Sequence, residues 1–225
     1  MAGSGKPRSR RLPVFFVTWV LRIILMVGAV LRIFVRTHVS KNRYQAVPKH
    51  GPVIIVCNHP SPVDPILVFG ALRRRVAFLA MEELFGVPVL GSAMRWMGHI
   101  PVARGTDHAM DCLDFAEQVL LHGGVVVIFI EGGCSPDGQI KHPKGGVAEL
   151  ASRTGAVVIP LGINGTRAVK SPDGGRIHLN QPVTLKFGDQ GLYAPDDHTL
   201  EARTAFTDQM VDQLVDLSGY PRVAS

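Results

Sequence analysis

Val53-Ile54-Ile55-Val56-Cys57-Asn58-His59-Pro60-Ser61-Pro62-Val63-Asp64 is the stretch on which the reading of this chain turns. Five apolar residues, Val53 to Cys57, stand between Gly51-Pro52 and Asn58-His59-Pro60. A short apolar run bounded in this way fits a strand buried on both faces, as in a parallel sheet. Pro60, Pro62 and Pro65 exclude both strand pairing and a helix interior, so the chain must turn into a loop where the strand ends. His59 therefore stands at the carboxyl end of a core strand, with Asp64 a short loop away. Open α/β sheets bind ligands at that edge. An imidazole whose tautomer is fixed by a carboxylate is the smallest unit that serves as a general base. A plainer account of Asp64-Pro65 is a helix start, with Asp as N-cap and Pro at the first helical position.

A chain of 225 residues can bury a full core, and 46% hydrophobic with 19% charged residues describes a globular protein with an apolar excess. The formal charge of +6 and the pI near 9.5 favour an acidic partner such as an anionic membrane or a phosphorylated small molecule. Nucleic acid is excluded as the weakest of these partners, because aromatics make up only 7% and do not interleave with basic residues. Cys57, Cys112 and Cys134 form no CxxC pair and are odd in number, which argues for a reducing compartment and against structural zinc or a disulfide framework. No metal site is expected.

Residues 1–11, with Lys6, Arg8, Arg10 and Arg11 among Gly and Ser, read as a basic disordered tail. Residues 12–40 read as a membrane-associating segment of one helix or a helix pair, with Gly28 as the break, and 41–225 as the catalytic domain. No A-x-A cleavage pattern follows the apolar core, against a signal peptide. A spanning helix would place Arg22 mid-bilayer at roughly 2.5–3.5 kcal/mol. At about 100° per residue, Arg11, Thr18, Arg22, Ala29, Arg32 and Arg36 share an arc of about 80°. A narrow basic stripe on an apolar cylinder predicts a helix lying in the interface, with arginines among lipid phosphates; a core helix with snorkelling arginines is the alternative.

Downstream the pattern alternates strand and helix. Helix is predicted over 65–74, irregularly over 81–97 with a break at Gly86-Val87-Pro88, from Asp107 to Leu121, over 146–154 and over 199–217. Strands are predicted over 76–80, 99–103, 125–130 and 157–163, with hairpin strands around Ile177 and over 183–187. Repeated β-then-α units predict an α/β fold with a mostly parallel sheet flanked by helices. Core strands then end in polar residues at Asn58-His59, Arg104-Gly105 and Glu131-Gly132-Gly133, which converge on one edge if the strands are parallel. Gly132-Gly133 leaves backbone N–H groups to approach an anion, and Arg104 supplies a fork suited to phosphate.

Four segments carry a resemblance. Asn58-His59-Pro-Ser61-Pro-Val-Asp64 has the form Asn-His-x4-Asp. Gly98-His-Ile-Pro-Val-Ala-Arg104 is a strand closed by arginine. Phe129-Ile-Glu-Gly-Gly-Cys-Ser135 parallels Phe-Pro-Glu-Gly-Thr-Arg-Ser, with Lys141 to Gly146 following in the place of a Lys-x-Gly. Val158-Ile159-Pro160 is the fourth. In this order they resemble the glycerophospholipid acyltransferase family, in particular its 1-acylglycerol-3-phosphate acyltransferases, over roughly residues 45–190. The resemblance implies a glycerol-3-phosphate acyltransferase-like fold acting on lysophospholipid, most simply 1-acylglycerol-3-phosphate acylated to phosphatidic acid. It implies His59 and Asp64 as the catalytic pair, and Asn58, Ser61, Arg104, Glu131, Gly132, Gly133 and Lys144 as substrate-binding. It further implies acyl-CoA or acyl-carrier protein as co-substrate with no cofactor, and work at the cytoplasmic face of an anionic membrane as a peripheral or monotopic protein.

One departure bears on the acceptor. Gly133-Cys134 stands where the family has Thr-Arg, removing a charge-assisted phosphate contact of ~1.5–3 kcal/mol. Either Lys141 or Lys144 substitutes, or the acceptor is bulkier than lysophosphatidic acid. A non-catalytic lipid-binding protein on the same fold is the reading of another class. No G-x-S-x-G elbow, Walker A loop or G-x-G-x-x-G is present. Within the enzyme reading, the rival to a direct base is a nucleophilic Cys134.

Overall fold

The computed structural model describes residues 36–88, 90–102, 111–141, 146–195 and 199–223. Residues 1–35, which hold the expected tail and most of the expected membrane-associating segment, lie outside the described residues, as do Arg104, Asp107 and Lys144. The strands are Arg36–Val39 (β1), Val53–Cys57 (β2), Val76–Met81 (β3), Ile100–Val102 (β4), Val125–Phe129 (β5), Val157–Asn164 (β6) and Pro182–Phe187 (β7). They form one sheet in the order β1-β7-β6-β2-β5-β3-β4. Pairing is parallel from β6 through β2, β5 and β3 to β4, and β1 is parallel to β7; only β6 and β7 are antiparallel among the described pairs. Among the described helices, none is long and apolar enough to cross a membrane.

β2 is the middle strand, and all five of its residues are fully buried. The reason is its alternation into two separate cores. Ile54 and Val56 point to one face, under the helices Asp111–Leu121 (α5), Gly146–Thr154 (α6) and Leu200–Ser218 (α8), through Ala116, Leu120, Leu150, Met210 and Leu214. Val53, Ile55 and Cys57 point to the other, under the helix Asp64–Ala71 (α2) through Leu67, Val68 and Ala71. Each fully buried aliphatic side chain contributes ~1.5–3 kcal/mol, so the strand that carries His59 is anchored on both sides. Four shorter helices complete the described set: Arg43–Ala46 (α1), Glu83–Gly86 (α3), Leu90–Met97 (α4) and, after β6, Thr166–Val169 (α7).

The connection after β2 runs through α2 outward to β3, and the connection after β5 runs through α6 back to β6. Neighbouring strands β2 and β5 thus send their chains in opposite directions, which opens a crevice at their carboxyl ends. Their register pairs Cys57 with Phe129, so the two following loops leave at one level.

Three expectations need correction. Arg36 to Val39, placed in the 12–40 membrane-associating segment, pairs with β7 residue for residue from Arg36↔Pro182 to Val39↔Leu185. Arg36 therefore leaves the helical stripe, and the domain begins no later than this strand. The hairpin strand around Ile177 does not form: Ile177 is exposed, it follows Gly174 and Gly175 in the left-handed region, and β7 takes β6 as its antiparallel partner instead. Asp64 is not an N-cap. Val63 holds that position without a side-chain cap bond, and Asp64 is already helical.

Candidate active site

His59 and Asp64 meet because Pro60 and Pro62 force the chain through one tight turn between β2 and α2. Asp64 Oδ2 accepts from the Ser61 backbone N–H at 2.8 Å and lies 2.9 Å from His59 Nδ1. Asp64 is fully buried, and His59 keeps 12% of its side-chain exposure. With Nδ1–H donating to the carboxylate, the network assigns the lone pair to Nε2, on the side that faces the crevice. Burial pushes the Asp64 carboxyl up. The His59 hydrogen bond and charge, the Thr166 hydroxyl and the Ser61 N–H oppose it. Among the described residues, Thr166 Oγ1 and Asp64 Oδ1 are nonetheless both buried without a partner at hydrogen-bonding distance and angle, so Thr166 acts as a nearby dipole.

Asn58 and Ser61, expected to bind substrate, are instead frame. Asn58 is 1% exposed; its Nδ2 donates to Ile163 O at 2.8 Å and its Oδ1 accepts from Ile163 N–H at 2.7 Å. That double bond clips the end of β2 to β6 just beyond the last strand pair. Ser61 is fully buried, donates to Lys170 O at 2.6 Å and accepts weakly from Val63 N–H at 3.4 Å. Both side chains are buried and spend their bonds on backbone, which leaves neither an exposed polar atom to offer a ligand.

The β5 loop closes over the imidazole. Ile130 N–H donates to Cys57 O at 3.0 Å and Ser135 N–H to His59 O at 2.8 Å, so the two loops are stitched at both ends. Phe129 stacks on His59, with ring centroids 4.0 Å apart and planes 22° apart. Behind it lies Phe78, whose N–H donates to His99 Nδ1 at 3.3 Å. Burial pushes His99 down to about 4, so it is a neutral acceptor in the wall and not a second base. Glu131 Oε1 takes the His59 backbone N–H at a long 3.5 Å, while Oε2 is buried without a partner among the described residues. Burial is the main reason its carboxyl rises to about 7, with Lys141 pulling the other way. Cys134 Sγ lies 3.3 Å from His59 Nε2, on the reactive side of the ring.

The expected anion nest is half lost. Gly132, with φ +67°, spends its N–H on Phe129 O at 3.0 Å to make the turn. Gly133 N–H has no partner among the described residues. Arg104 follows β4, which ends on the same edge at Val102; Arg104 and Lys144 themselves lie outside the described residues. Phe129, Thr166 and Arg167 were not among the sequence candidates. Arg167 donates to Ser135 O at 2.9 Å and pairs with Asp173 at 3.4 Å, tying the β6 edge to the β5 loop. A signal for the last two existed: they follow Asn164-Gly165 at the end of the third core strand. Gly165 is required there, since its φ is +86° and a Cβ would lie 2.1 Å from Pro182 O.

A family model for acyltransferases matches residues 38–164, more than half of the chain. The chain belongs to the acyltransferase family. Among relatives of this acyltransferase, the chloroplast 1-acyl-sn-glycerol-3-phosphate acyltransferase of Arabidopsis thaliana is 33% identical over 130 residues, 57% of this chain and 36% of that one. Its counterpart in Brassica napus is 33% identical over 162 residues, 71% of this chain and 46% of that one. The acyltransferase thus spans a third to a half of the length of these curated relatives. The crystal structure of the 1-acyl-sn-glycerophosphate acyltransferase PlsC from Thermotoga maritima superposes with a TM-score of 0.69 at 26% identity, covering 89% of this chain and 80% of that one.

Proposed function

We propose that this acyltransferase moves a fatty acyl group from an acyl thioester to the hydroxyl of a lysophospholipid, most simply 1-acylglycerol-3-phosphate to give phosphatidic acid. The observation that carries the reading is His59 Nδ1 held 2.9 Å from a buried carboxylate at the crevice between β2 and β5, with Nε2 on the far side of the ring beside Cys134 Sγ. Base catalysis by a positioned imidazole is worth ~10²–10⁴-fold, and Asp64 steadies the imidazolium as it forms. The donor is acyl-CoA or acyl-carrier protein. Arg104, Lys141 and Lys144 are the cations that would meet the acceptor phosphate, and the Gly133 N–H is a backbone donor for an anionic oxygen. The place of work is the cytoplasmic face of an anionic membrane, reached through the apolar and basic residues before β1.

A specific observation favours a second acceptor class. Cys134 and Gly133 leave the pocket without the long guanidinium that the family pattern supplies, which makes room for a larger head group. The test is lipid mass spectrometry of the purified full chain given an acyl thioester and a panel of acceptors, with His59→Ala alongside. Phosphatidic acid from the parent, falling at least ~100-fold in the variant, supports the first reading. Product only from larger lysophospholipids supports the second. Equal product from parent and variant removes His59 from the chemistry.

A further inference from the structure

Beside the base sits a group that a direct transfer does not use. Cys134 Sγ is 3.3 Å from His59 Nε2, and Asp64 Oδ2 is 2.9 Å from Nδ1, so thiol, imidazole and carboxylate stand in line. A nucleophile in reach of a base that is itself oriented by a third group is the geometry of covalent catalysis. The thiol occupies the hydrogen-bonding direction of Nε2 that an acceptor hydroxyl would need. It is half-buried, on a loop fixed by Ser135 N–H to His59 O and by the Arg167 bond to Ser135 O. A thiol is also the easier acid: its ordinary pKa is ~8.5, whereas a hydroxyl lies nearer the ~15.7 of water. The same imidazole therefore activates sulfur far more readily than oxygen.

We propose that Cys134 is a catalytic nucleophile that carries the acyl group between donor and acceptor. The proposal rests on the acyl-transfer reading above. His59 Nε2 takes the Cys134 proton, and Sγ attacks the donor thioester carbonyl. A new C–S bond forms, the donor C–S bond breaks, and the departing thiolate receives the proton from His59. The Gly133 N–H, one residue before the nucleophile, is the available donor for the oxyanion. In the second half, His59 takes the proton of the acceptor hydroxyl, whose oxygen attacks the Cys134 thioester. The C–S bond to Cys134 breaks as the ester forms, and the thiolate regains its proton from His59. No redox step and no further reactant is needed.

The test uses the full chain with palmitoyl-CoA and, in a separate arm, palmitoyl-acyl-carrier protein, without acceptor. Intact mass and peptide mapping should find one palmitoyl group on Cys134, released by hydroxylamine and discharged when lysophosphatidic acid is added. Cys134→Ala should lose the adduct and at least ~100-fold of the transfer rate. Cys134→Ser, nearly isosteric and so able to report on a folded protein, should trap a hydroxylamine-resistant ester. Double-reciprocal plots for the parent should be parallel. An unacylated parent with intersecting plots, and a Cys134→Ala variant that transfers at the parental rate, would overturn the proposal while leaving His59-dependent transfer standing. An acylated Cys134 that no acceptor discharges would support the thiol step and overturn the acceptor assignment instead.

Discussion

Two loops leave neighbouring strands at the same register, and they are built on opposite principles. The loop after β2 spends nearly every polar group it has: Asn58 on both Ile163 groups, Ser61 on Lys170 and Val63, and Asp64 Oδ2 on Ser61 and His59. The loop after β5 holds its functional groups in reserve. Glu131 Oε2 and the Gly133 N–H have no partner among the described residues, and Cys134 Sγ lies 3.3 Å from His59 Nε2. The first loop fixes a base to within a rotamer, as proton transfer demands. The second is where a substrate's own groups would complete the bonding, and it is also where this chain departs from the family pattern. Rigid chemistry and variable specificity are thus separated onto adjacent strand ends.

The contrast can be broken first at the clip. Asn58→Ala would leave the Ile163 N–H and carbonyl buried and unpaired, at ~1–3 kcal/mol for each group. Urea denaturation should show a loss of about 2–6 kcal/mol together with loss of transfer. If stability is unchanged, the β2 loop is not the rigid partner.

A smaller and pH-dependent effect belongs to the β5 loop. Glu131 titrates near 7 in the folded protein and at the ordinary carboxylate value when unfolded, because burial disfavours its charge. The folded state therefore holds more protons between about pH 4.5 and 7. The stability this contributes is complete below the unfolded value and is lost as pH rises through the folded one. Glu131→Gln should remove that slope. Relative to the parent, the variant should gain roughly 1–2 kcal/mol at pH 8 over its position at pH 5, a figure reduced from the full shift because the side chain retains contact with water. Parallel stability curves for the two proteins would show that Glu131 is solvated and that the β5 loop holds nothing in reserve.

How much of this was legible beforehand follows the same division. The β2 strand, its loop and the parallel neighbours at 125–129 and 157–164 were visible because a doubly buried strand has no polar face, and because proline punctuation is unambiguous. His59 with Asp64 came from spacing alone. The roles of Asn58 and Ser61 did not, since a polar residue beside a base looks the same whether it meets substrate or backbone; only the position of Ile163 and Lys170, more than a hundred residues away, decides it. β1 was hidden because four residues, Arg36 to Val39, continue the apolar and basic pattern that precedes them, and their partner lies at 182–185. Gly132 looked like an anion nest for a similar reason: its N–H is consumed by a carbonyl three residues back, a fact of turn geometry that composition does not carry.

Asp64→Asn is the most direct test of the claim that the β2 loop exists to hold a base. Asn keeps the shape and can still accept from the Ser61 N–H, but it removes the charge that orients Nδ1–H and steadies the imidazolium. Transfer rate and thermal midpoint should be measured on one preparation. The account predicts a fall of ~10²–10⁴ in kcat with a midpoint within a few degrees of the parent. A variant that melts far below the parent, while its folded fraction transfers acyl groups at the parental rate, would contradict it and reduce Asp64 to a structural residue.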